Sequence, residues 1–140
     1  MNADKVCHVP VNIVGRAGEG LKGLVLACFW SNPFISAAGC TPDMVAVIAR
    51  YTGMGEPAVQ GAITVLDQIG QIIVDLDTNE ALVPGWLDLN YLQERSVAEK
   101  PADVMLAIER VKSANLRNVL IKDIARLDVQ YDASLSASRG

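Results

Sequence analysis

Residues 56–86 read EPAVQGAITVLDQIGQIIVDLDTNEALVPGW, and the way this stretch divides decides the fold. Its first part places Val59, Ala62, Ile63, Leu66 and Ile69 at three- and four-residue intervals. That spacing gathers apolar side chains on one face of an α-helix. Pro57 suits the first turn, where its missing N–H has no intrahelical partner, and Gly70 suits the C-terminal stop. The period then changes. Two short β-rich runs, Ile72–Leu76 and Ala81–Pro84, flank the turn-prone tetrad Asp77-Thr78-Asn79-Glu80. A β-hairpin is expected there.

Upstream, Thr41 reads as an N-cap, Pro42 as a first helical residue and Asp43 as a first-turn acid. The helix they open turns Met44, Val45, Ile48 and Tyr51 inward and ends near Gly53. Leu21–Ser31 is a second apolar helix, with Leu21, Leu24, Val25, Cys28 and Phe29 at helical spacing, stopped by Pro33. Before it, HVPVNIV (8–14) suggests a short edge strand. GRAGEG (15–20) lacks the GK[ST] of a phosphate loop and reads as a connector. Helix, short turn, helix and hairpin in this order predict a winged helix-turn-helix.

Downstream, Trp86, Leu89 and Tyr91 are expected to fold back onto the core, and ERSVAEK (94–100) is a polar linker. A helix begins at Pro101, with Val104, Ile108 and Val111 on one side. After a kink near Ser113–Asn115, a last helix aligns Leu116, Leu120, Ile124 and Leu127. The expected fold is mainly α with a small β-hairpin (α+β), a winged helix-turn-helix followed by C-terminal amphipathic helices. The divisions are a winged-helix domain over 1–94, a helical extension over 95–132 and a flexible tail over 133–140.

The 140 residues carry a net charge of −4, which disfavours a generic basic nucleic-acid binder. Charge is divided unevenly: residues 1–94 hold four basic side chains against ten acidic, and residues 95–140 hold eight against six. Cys7, Cys28 and Cys40 form no CxxC, and His8 is the one histidine, so buried free thiols are expected and no metal site. Asp75-x-Asp77-x-Asn79 begins like a calcium loop, but Glu80 and Trp86 stand where that loop needs glycine and glutamate. An exposed, acidic hairpin tip is the expectation. Nothing resembles a nucleophile–base pair or a cofactor loop, so neither an enzyme nor a cofactor is expected. With no apolar run of membrane length and no secretory signal, a cytoplasmic protein of a bacterial host cell is expected.

Several pieces together resemble the N-terminal winged-helix module of bacteriophage replication-initiation proteins, the replisome-organiser and DnaD-like group. FWSNPF (29–34) is similar to that group's L-x-x-N-P element, SAAGC (36–40) to its glycine-bearing loop, and Ala49–Gly53 to its A-x-x-T-G turn. Ala62–Ile72 is similar to A-L-x-x-L-x-x-x-G-L-I, and Val83–Asn90 to V-x-x-W-x-x-x-N. The resemblance spans about residues 6–115. It implies a phage or prophage protein that binds double-stranded DNA in replication initiation or transcription control. Two departures stand out: the group's members are usually longer, and this chain's reading helix lacks their basic residues.

The solvent face of that helix carries Gln60, Thr64 and Gln68. Glutamine can read adenine, and threonine can contact a thymine methyl. Phosphate attraction must come from Arg50 and from the C-terminal helices, through Lys122 and Arg126 or through Arg110, Lys112 and Arg117. A homodimer or higher oligomer joined through helices 102–112 and 116–128 would double those contacts. The alternative is a protein-interaction module of the same fold that binds and redirects a host replication, transcription or defence factor without reading DNA.

Overall fold

The structure is a computed structural model that describes residues 20–95 and 101–139. Cys7, His8, the 8–14 strand and most of the 94–100 linker lie outside the described residues. The order is α1 (Leu21–Ser31), β1 (Cys40–Thr41), α2 (Met44–Thr52), α3 (Glu56–Gln68), β2 (Ile73–Asp75), β3 (Glu80–Leu82), α4 (Trp86–Arg95), α5 (Ala102–Arg110) and α6 (Ala114–Arg139). The described residues are mainly helical with one small antiparallel sheet, in the order β1-β3-β2.

The hairpin pairs Ile73 with Leu82, Val74 with Ala81 and Asp75 with Glu80. Beside it, Cys40 pairs with Leu82 and Thr41 with Ala81, a third strand where a loop and a helix cap are expected from the sequence. Successive residues of a strand point to opposite faces, and this separates two apolar clusters. Ala81 and Val83 join Val25, Phe29, Ile48, Val59, Ile63 and Leu66 beneath α1–α3. Leu82 and Cys40 join Leu87, Tyr91, Val104, Ile108, Leu116, Leu120, Ile124 and Leu127 beneath α4–α6. The sheet is therefore a thin middle layer with three helices on each side.

Local chemistry fixes the turns. The side-chain amide of buried Asn32 donates to the Cys28 carbonyl at 3.1 Å and to the Thr41 hydroxyl at 3.1 Å, joining the end of α1 to β1. Thr41 is thus a strand residue and not the N-cap of α2. Asp43, at φ 45°, holds the cap position, helix begins at Met44, and the Met44 N–H donates to the Asn79 carbonyl of the hairpin turn. At the other end of the helical pair, Gly70 at φ 79° permits a double closure of α3. Gly70 N–H donates to Asp67 and Gln71 N–H to Leu66, which satisfies two terminal carbonyls.

Some expected inner residues face outward. Leu21, Leu24, Ile69 and Leu89 are exposed, whereas Leu26, Trp30 and Leu87 are buried. Trp86 and Tyr91 do pack inward. Trp86 lies 5.8 Å from Trp30, ring centre to ring centre, and its indole N–H donates to the Ala37 carbonyl at 3.2 Å. Gly39, at φ 79°, makes room: a Cβ there would stand 2.5 Å from the Trp86 ring. The 133–140 stretch, expected as a flexible tail, continues α6 to Arg139. Alanine, serine and leucine all tolerate helix, and no glycine or proline interrupts them before Gly140.

Candidate functional site

Helix α3 offers the most open polar surface of the α1–α3 layer. Val59, Ala62, Ile63 and Leu66 are buried, which leaves Gln60, Gly61, Thr64, Asp67 and Gln68 in solvent. The Thr64 hydroxyl donates to the Gln60 carbonyl one turn back, at 3.0 Å. Arg50 is exposed in the last turn of α2, the helix packed beside α3. Across Asp43–Gly70 it is the one basic side chain, against Asp43, Glu56 and Asp67, all exposed. This face is rich in hydrogen-bonding groups and carries little positive charge.

The C-terminal cations stand elsewhere. Because α3 and α6 pack on opposite faces of the sheet, Lys122 and Arg126 are not brought together with Gln60, Thr64 and Gln68. Lys122 is exposed on the outer side of α6. Arg126 bonds to Asp88 of α4 at 2.6 Å and approaches Asp123 at 3.5 Å. Both contacts are surface ion pairs, so Arg126 stands beside two carboxylates while its side chain stays half exposed. Arg117 donates to the Val111 and Lys112 carbonyls, closing the end of α5. Arg110 lines an open cleft between residues 36–37 and α5. Of helices 102–112 and 116–128, expected as an oligomer interface, the sides carrying Val104, Ile108, Leu116, Leu120 and Leu127 are buried against the chain's own sheet and α4, whereas Leu106 and Ile121, with Val129 just beyond, stay exposed.

The hairpin is not a free acidic tip. Glu80 is only 4% exposed, and its carboxylate accepts from the backbone N–H of Lys112 at 3.0 Å and of Ser113 at 2.8 Å. Asp75 accepts from Asp77 and Thr78 N–H with one oxygen and from the Ser113 hydroxyl, at 2.5 Å, with the other. Ser113 in turn accepts from Leu116 N–H at 3.1 Å, as an N-cap does. Two carboxylates thus hold the positive end of the α6 dipole. The Ser113 hydrogen bond, ahead of those from Thr78 and Asp77, holds the Asp75 carboxyl below its ordinary range. Burial, reinforced by the Glu80 charge, pushes the Cys40 thiol up to about 12.

Sequence reasoning missed this cluster, although a signal was present. Glu80 lies two residues before Leu82 on one strand, so both must point to the same buried side. The consequence for recognition is mechanical: the hairpin tip is tied to α2 through Asn79 and to α6 through Asp75 and Glu80. No helix among the described residues is long and apolar enough to cross a membrane. Comparisons with protein families, with curated proteins and with solved structures find no match for this chain.

Proposed function

We propose that the chain is a winged-helix module that reads double-stranded DNA through α3, in phage-type replication initiation or transcription control in the bacterial cytoplasm. The observation that carries this reading is the order helix–strand–helix–helix–strand–strand with strands arranged β1-β3-β2. In a helix-turn-helix the second helix enters the major groove, and here that helix is α3, its polar side uncovered. Gln60, Thr64 and Gln68 supply base-edge contacts, and Arg50 supplies the nearest phosphate contact. A second copy would bring a second Arg50 to a repeated site. It would have to join through a surface other than the faces of α5 and α6 already buried.

Duplex titration at two salt concentrations tests this. Affinity should fall as salt rises, and Arg50→Ala should reduce the salt slope by about 1. Replacing both Lys122 and Arg126 by alanine should change the slope less, because they lie in the other layer. Absence of binding at low salt would refute the reading.

A second reading is favoured by a specific observation: Arg126 and Arg117 are engaged within the chain, and the hairpin is tied down. In this reading the α3 face, with Glu56 and Asp67 beside its glutamines, docks on a basic surface of a host replication, transcription or defence protein. Failure to bind duplex together with capture of one host protein, lost on Gln60→Ala plus Thr64→Ala, would select it.

A further inference from the structure

We infer that the outward side of α3 is built to read A·T base pairs at close approach, an inference that rests on the DNA reading proposed above. Three features of the helix point the same way. First, Thr64 donates its hydroxyl proton to the Gln60 carbonyl at 3.0 Å. What it leaves for a partner is its γ-methyl rather than a donor, and in the major groove the matching group is the thymine C5-methyl. Second, the side chains on either side are Gln60 and Gln68, whose amides pair bidentately with adenine N6 and N7. Arginine and lysine, the usual readers of guanine, do not occur in α3.

Third, Gly61 lies on the exposed side of α3 between these residues, and a Cβ there would meet nothing within 4 Å. Glycine inside a helix lowers its stability relative to alanine, and no packing among the described residues requires it at this position. Its effect is to keep the outward side of the helix low, so that the backbone can come near a groove floor. From Gln60 to Gln68 the helix rises roughly 12 Å, at 1.5 Å per residue. At about 3.4 Å per base pair that covers three or four pairs.

The test titrates the full chain, by fluorescence anisotropy, with three duplexes of one length. One has an A·T core, one a G·C core, and in the third every core thymine is replaced by uracil. The A·T duplex should bind at least about tenfold more tightly than the G·C duplex, the discrimination of one good bidentate contact. Uracil should weaken binding severalfold. Thr64→Val should keep that sensitivity and Thr64→Ser should lose it. Gly61→Ala should raise the melting temperature while lowering affinity. Equal binding of A·T and G·C cores, or indifference to uracil, overturns the A·T assignment while leaving DNA binding intact. A Gly61→Ala protein that is more stable and binds equally well overturns the close approach. No binding to any duplex overturns both the inference and the reading beneath it.

Discussion

Asp75 shows how much one side chain decides. A calcium-like spacing and a place in a hairpin made it look like a solvated acid. Its two oxygens instead serve three donors, Asp77 N–H, Thr78 N–H and the Ser113 hydroxyl. These bonds favour the charged form, so the folded carboxyl titrates below its ordinary range. The sign follows: Asp75 contributes stability above its unfolded pKa and loses it as pH falls through the lower folded value. Denaturant melts at neutral pH and in steps below pH ~4 should show Asp75→Asn destabilised at neutral pH, with the gap to the parent closing in acid. A gap that stays constant with pH would contradict this role. Thr64 makes a related point. Its residue type was legible, but which of its two functional groups remains free was not, because that depends on a rotamer.

At the scale of elements, helix existence was largely written in periodicity. Leu116, Leu120, Ile124 and Leu127 are all buried, as their spacing required, and α1 spans the expected Leu21–Ser31. Strand β1 was not legible, since two residues show no period, and its formation depends on pairing with a strand some forty positions later. The start of α2 was misread for a related reason: Thr41 is a good capping residue in isolation, but the sheet and Asn32 claim it first. The junction between α5 and α6 rests on the hairpin's carboxylates. Glu80→Ala would leave two backbone donors short of a buried acceptor and should cost about 2–3 kcal/mol. Ser113→Ala removes a cap and should cost about 1 kcal/mol. Chemical denaturation measures both, and equal small losses would show that Glu80 is not the anchor described here.

For the molecule as a whole, the middle sheet determines what can act together. Net charge and its uneven division were readable in the sequence, and they suggested that α6 would lend its cations to α3. The alternation of Ala81, Leu82 and Val83 sets α3 and α6 in different layers, so Lys122 and Arg126 do not stand beside the α3 face. The candidate reading face was legible as a list of residues, whereas its separation from Lys122 and Arg126 is a property of three-dimensional layering. Arg50 is left as the local cation on which the proposed recognition through α3 depends. Backbone amide shifts of the labelled protein, followed by NMR during titration with duplex DNA, test it most directly. If α3 enters the groove, the perturbed amides should cluster on Gln60–Gln68 and around Arg50, while those of α5 and α6 stay in place. Perturbations confined to the α4–α6 layer, or none at low salt, would contradict it.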